Sequence, residues 1–120
     1  MADHIDTGKL GEDLAIEHLA NKGFSILERN WHFRKLELDI IAMDGEYLVI
    51  VEVKTRTSSY FENPKDAITL KKQKFLFDAA EAYILETKDD HEIRFDIVEV
   101  LLENDNTLIT HIEDAFAPGW

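Results

Sequence analysis

Apolar residues recur at helical spacing near the start of the chain, with Leu10, Leu14, Ala15 and Leu19 on one stripe. Asp6 or Thr7 can N-cap this helix and Gly23 suits the C′ position that ends it. The period then shortens. Residues 24–31 alternate as a strand with Phe24, Ile26 and Leu27 as inward candidates, and residues 32–35 read as a connector. Two apolar runs, 37–42 and 47–54, flank Asp44-Gly45, a strong hairpin signal. The continuous run from Leu48 to Val51 reads as a central strand buried on both faces. Residues 55–60 form a polar loop that ends near Asn63-Pro64. Helical spacing returns over 69–86, with Phe75, Ala79, Ala82 and Tyr83 as the main core positions and Leu76 and Ile84 nearby. Residues 92–102 alternate again and pair through Asn104-Asp105-Asn106 with 107–112. The order helix, three strands, helix, two strands predicts an α/β or α+β sandwich, a mixed central sheet flanked by helices. No repeat or Pro/Gly/Ser-rich linker interrupts it, so residues 1–120 are read as a single domain.

Composition narrows the class. A chain of 120 residues with 45% hydrophobic and 32% charged content has the make-up of an ordinary globular domain with one core. No apolar run approaches the roughly 18 residues of a membrane span, and the first residues lack the basic and apolar regions of a signal peptide. With zero cysteines, disulfides and zinc-thiolate sites are excluded, so a cytoplasmic protein without membrane contact is expected. A net charge of −12 argues against coating nucleic acid through bulk electrostatics. The charge is uneven, however. Residues 29–74 carry nine of the thirteen Lys and Arg against seven acids, while the remaining segments hold four bases and eighteen acids. One less acidic face is therefore available for a phosphate backbone.

That basic stretch contains the candidate chemistry. The hairpin can bring Asp39 beside Glu52, and Glu52 and Lys54 point to one sheet face because they are two apart. Burying such charges costs several kcal/mol each unless they are paired or bind a metal. Asp39 and Glu52 offer hard oxygen ligands suited to magnesium or manganese, and Lys54 could orient a bound water or neutralise developing charge. The plainer alternative is a strand-end ion pair in which Lys54 balances Glu52. Glu12 lies roughly 20° from Leu19 on the shoulder of the helical stripe, at about 100° per residue. From there it can reach a site at the sheet edge, or serve only as an acid favoured by the helix dipole. Thr55 and Arg56 are the loop candidates for phosphate contacts. Lys71, Lys72 and Lys74, with Gln73 among them, crowd the first turns of the second helix, where the dipole disfavours cations. An anionic ligand would offset that penalty, whereas a solvated face would leave Lys stems covering apolar surface. Arg34 sits in a basic-aromatic connector that either holds substrate or is a solvated turn. The five histidines show no metal-ligand spacing, and Arg94 with Asp96 reads as a structural pair.

Taken in order, Glu12, Asp39 and Glu52-Val53-Lys54 resemble the active-site set of the PD-(D/E)xK, or restriction-endonuclease-like, superfamily. Within it the likeness is greatest to archaeal Holliday-junction resolvases. More narrowly, nearly the whole chain resembles the YraN family of endonuclease-like proteins. The segments 11–15, 23–30, 37–39, 51–56 and 94–96 carry that resemblance. One departure is Leu36, where the family pattern usually has Gly before Glu-x-Asp. The resemblance implies a restriction-endonuclease-like fold with Glu12, Asp39 and Glu52 holding Mg2+ or Mn2+ and Lys54 assisting the attacking water. It implies a metal-dependent endonuclease-like activity on DNA phosphodiester bonds, with branched or structured DNA as a substrate to test. A non-catalytic module that binds nucleic acid or a repair partner on the same fold is the rival, and homodimerisation is left open.

Overall fold

The computed structural model describes residues 6–57, 68–103 and 105–118. Seven elements follow in order: α1 (Thr7–Asn21), β1 (Ser25–Phe33), β2 (Leu36–Asp44), β3 (Tyr47–Arg56), α2 (Leu70–Thr87), β4 (Glu92–Glu103) and β5 (Asn106–Phe116). They build one five-stranded sheet in the order β1-β2-β3-β4-β5. The first three strands form an antiparallel meander, α2 crosses over to β4 parallel to β3, and β5 returns antiparallel. Two helices and a five-stranded mixed sheet make an α+β fold compatible with the restriction-endonuclease-like architecture. No helix among the described residues is long and apolar enough to cross a membrane.

Each helix covers one face. Ala15 and Leu19 of α1 pack on Ile40, Ala42, Val49, Val51, Val98 and Val100, while Leu76, Ala79, Ala80 and Tyr83 of α2 pack on Ile41, Leu48, Ile50, Phe95 and Ile97. The central strand is thus apolar on both sides from Leu48 to Val51, and Glu52 is the first polar residue beyond that run. Asp6 caps α1 by accepting the Lys9 N–H at 3.1 Å, and Gly23 follows the helix at φ +98. Gly45, at φ +60, turns the β2–β3 hairpin as Asp-Gly predicts.

Several boundaries and burials differ from the sequence reading. The stripe of α1 centres on Gly11, Ala15 and Leu19, and Leu10 and Leu14 are only half-buried. Gly11 permits that approach, because a Cβ there would lie 1.8 Å from Thr55 Oγ1. Leu27 is exposed since the β1–β2 register shifts between Ile26 and Glu28, leaving it at a bulge. The connector shrinks to Arg34-Lys35, with β1 continuing through Phe33. Phe75 is 44% exposed and Leu76 takes the core position instead. Strand β3 runs on through Thr55 and Arg56, which pair with Val100 and Leu101 of β4 and so are not loop residues. The rest of the expected polar loop (58–60, Asn63-Pro64), Asn104 of the last hairpin and the final Gly119-Trp120 lie outside the described residues.

Candidate metal and nucleic-acid site

The β2–β3 ladder ends at Ile40 opposite Val51, so β2 backbone does not pair with the next inward amides of β3. The Asp39 side chain takes one of them: its Oδ2 accepts the Val53 N–H at 2.9 Å. That bond anchors the Asp39 carboxylate at the end of the central strand, beside Glu52. Glu52 follows Leu48 and Ile50 on the α2 face, and its side chain is only 8% exposed. Burial pushes the Glu52 carboxyl up to about 9, and the adjacent Asp39 carboxylate adds to the shift, against a smaller opposing pull from Lys72. Asp39, Glu52, Val53, Lys54, Ile68 and Lys72 line one hollow of about 430 Å³. The Lys72 ammonium lies 3.3 Å from Glu52 Oε2. The adjacent carboxyl groups of Asp39 and Glu52 at this buried strand end are oxygen donors of the kind that could hold a hard cation.

Glu12 is placed elsewhere. It projects from α1, on the other face of the sheet, and its Oε1 lies 3.3 Å from Arg29 Nε. Arg29 also reaches Asp13 at 2.6 Å, and this hydrogen bond, the largest effect, holds the Asp13 carboxyl below its ordinary value. Glu12 and Arg29 line a separate hollow with Asp6, Gly8, Lys9, Asn30, His32 and Glu37. The structure therefore gathers Asp39, Glu52 and Lys54 but does not bring Glu12 into their hollow.

The expected phosphate contacts divide in the same way. Lys71, Lys72 and Lys74 are exposed on the first turns of α2, where Thr69 Oγ1 caps the helix by accepting the Lys72 N–H at 3.1 Å. Lys74 lies 3.4 Å from Asp78, Lys71 sits 5.9 Å over the Phe75 ring, and Gln73 Nε2 donates to the Ile68 carbonyl at 3.2 Å. Thr55 packs beneath Gly11 of α1, on the opposite face from Glu52. Arg56 Nη2 lies 2.9 Å from Glu99 Oε2, and both side chains are nearly buried. Arg34, at φ +57 in the β1–β2 turn, lies over the Phe33 ring at 5.1 Å and shares a hollow with α2 residues, away from Asp39.

Glu99 escaped the sequence reading. It is the Cα partner of Lys54 across the parallel β3–β4 pair, and nothing local in its own strand marks it as different from an alternating polar residue. Asp89, Asp90 and His91 were missed too, because each counts only once a turn has gathered them. Each offers a ligand atom within 4.8 Å of the others, making them a group that could hold a metal ion. Their geometry is also that of a tight turn: Asp89 Oδ1 accepts the His91 N–H at 2.8 Å and faces Nδ1 at 2.9 Å. The His91 backbone bond is the main reason the Asp89 carboxyl stays below its usual value.

On the α1 side of the sheet, the opposite face from Glu52, Arg94 and Asp96 form the expected pair through two bonds of 2.9 Å. Arg94 also reaches Asp44 at 2.9 Å, while His111 Nε2 lies 2.8 Å from Asp96 Oδ2 and its Nδ1 is 2.6 Å from Lys22 Nζ. Burial acts to raise the Asp96 carboxyl, but the His111, Arg94 and Asp114 hydrogen bonds outweigh it and hold the group below its ordinary value. This network ties α1, β4, β5 and the hairpin turn together, and it serves the fold.

Relatives place the chain. It is 51% identical over 116 residues to a UPF0102 protein of Flavobacterium psychrophilum, covering 97% of this chain and 98% of that protein. It is 46% identical to one of Flavobacterium johnsoniae, covering 97% and 98%, and 44% identical to one of Phocaeicola vulgatus, covering 98% of each. The model of "Uncharacterised protein family UPF0102" matches residues 11–100, a span holding Asp39, Glu52, Lys54 and the α2 lysines. With that match over most of its length, the chain belongs to family UPF0102, the endonuclease-like YraN group its motifs resemble.

Proposed function

We propose that this protein is a metal-dependent nuclease acting on DNA, with its centre at Asp39, Glu52 and Lys54. The observation that carries the reading is the pair of adjacent carboxylates at the buried end of β3, with two lysines lining the same hollow. Asp39 and Glu52 would hold Mg2+ or Mn2+, which supplies phosphate polarisation and a more acidic bound water. Asp39 is held in place for this by the Val53 N–H. Lys54, two residues beyond Glu52 on the same face, orients the attacking water or offsets charge building on the phosphate. Lys71, Lys72 and Lys74 contact the flanking backbone of the substrate. Glu12 joins this set only if metal or DNA draws it away from Arg29, so its loss should cost less than the loss of Asp39.

The test compares cleavage of labelled linear, flapped and four-way DNA with magnesium, manganese and chelator. Asp39→Asn should abolish both cleavage and calorimetric metal binding, while Lys54→Ala abolishes cleavage and weakens DNA binding only modestly. Equal metal binding by wild type and Asp39→Asn would refute the site. Two observations favour the rival, a non-catalytic nucleic-acid or repair-partner module: the net charge of −12 and the engagement of Glu12 with Arg29. Purified protein that binds these DNAs and never cuts them with either metal would establish that rival.

A further inference from the structure

We infer that Lys72 is a resident counter-cation of the Asp39–Glu52 site, displaced when a divalent metal enters and then free to hold the phosphate that arrives with the substrate. The inference rests on the metal site proposed above and adds a coupling between its two ligands.

A carboxylate as buried as Glu52, beside a second carboxylate, needs a positive partner or a proton. Lys54 shares its strand and its hollow, yet among the described residues the ammonium within ion-pair distance of Glu52 is that of Lys72, at 3.3 Å. Lys72 arrives from α2, a different element, and it sits on a helical turn already fixed by the Thr69 cap. Its side chain is 48% exposed, against 8% for Glu52. The two partners are therefore unequal. Glu52 is locked in the sheet, whereas the four-carbon stem of Lys72 can swing into solvent without moving the helix.

An ammonium and a divalent cation compete for the same oxygens. Entry of the metal adds positive charge even when it replaces one proton, so a neighbouring ammonium opposes it at any pH. Once released, Lys72 stands beside Lys71 and Lys74 at the helix N-terminus, where like charge and the helix dipole both favour an arriving phosphate. Metal should then tighten polyanion binding through Lys72, and by reciprocity a polyanion should tighten metal binding. A static ion pair, by contrast, would leave the two ligands independent.

Mn2+ affinity, read by calorimetry or by the spin-resonance signal of the free ion, separates these cases without any cleavage. Lys72→Gln should bind Mn2+ roughly three- to tenfold more tightly than wild type, the scale expected for one half-exposed charge. Lys72→Arg keeps the charge and should show no such gain. Lys88→Gln, at the far end of α2, matches the change in net charge and should leave affinity at the wild-type value. With Ca2+ in place of a catalytic metal, wild type should gain more affinity for a DNA duplex than Lys72→Gln does. Equal or weaker Mn2+ binding by Lys72→Gln overturns this inference while leaving the metal site standing. Absence of Mn2+ binding in wild type and every variant overturns both. Binding by Lys72→Gln but not by wild type would show that Lys72 blocks the site and does not yield to metal, which overturns the displacement.

Discussion

At Glu52 the same burial that recommends the residue as a ligand makes it a liability without a cation. Its carboxyl, raised from 4.5 to about 9, binds its proton more tightly in the native state than in the unfolded chain. Stability is therefore full below the unfolded value and declines as pH rises towards the folded one. In chelator, urea midpoints of wild type should fall through the window from 4.5 to about 9, while those of Glu52→Gln should stay nearly flat. At the alkaline end the variant should be more stable by roughly 1–3 kcal/mol. Parallel curves for the two proteins would show that Glu52 is not strained in this way. Arg56 poses a different residue-scale question, since a phosphate contact and a buried ion pair predict opposite signatures. With Glu99 2.9 Å away and both side chains almost enclosed, Arg56→Ala should cost about 3–5 kcal/mol by stranding Glu99. Arg56→Ala that melts like wild type but loses DNA affinity would return Arg56 to the phosphate set.

Among the elements, α1 is held at a distance that only glycine allows. A Cβ on Gly11 would meet Thr55 Oγ1 at 1.8 Å and Thr55 Cβ at 2.9 Å, so Gly11→Ala must push the helix off the sheet. A loss of about 1–3 kcal/mol is expected, with partial recovery when Thr55→Ala is added. Melting curves of the two single variants and the double variant give the coupling; strictly additive effects would deny the contact. This contact also marks where sequence reasoning stopped. The hairpin was legible because Asp44-Gly45 is local, and its short register brings Asp39 beside Glu52. The period changes likewise located the helices and strands to within a few residues. What depends on partners distant in sequence was not legible. The parallel register of β3 on β4 decides that Arg56 meets Glu99 and that Thr55 belongs to a strand. The bulge at Leu27 arises in the β1–β2 pairing, and the choice of Leu76 over Phe75 depends on where α2 sits. Glu12 was correctly placed on the shoulder of its helix, but a helical wheel cannot say which sheet face that helix will cover.

Across the whole molecule, the proposed function requires a chain of net charge −12 to bring a polyanion to an acidic centre, and the arrangement of cations decides whether it can. Lys71, Lys72 and Lys74 stand exposed on one end of α2, with Lys72 and Lys54 at the hollow that holds Asp39 and Glu52. Eighteen of the twenty-five acids lie in the segments flanking residues 29–74, which hold only four of the thirteen Lys and Arg, so those segments disfavour a polyanion. Binding should then be weak, salt-sensitive and oriented by this one patch. Changing Lys71, Lys72 and Lys74 together to Ala should weaken binding to linear and four-way DNA alike, because bonds to the phosphate backbone carry no sequence information. The slope of log affinity against log salt should flatten by about 0.9 for each duplex phosphate that the variant no longer neutralises. Lys54→Ala should leave that slope within about one unit of the wild-type value, since Lys54 is assigned to the reacting water. Fluorescence anisotropy across a salt series measures both variants on the same labelled DNAs. A triple variant with an unchanged slope would remove α2 from the interface. If wild type itself shows no affinity at low salt for any DNA or RNA tried, the hollow has no nucleic-acid ligand, and a protein partner becomes the occupant to seek.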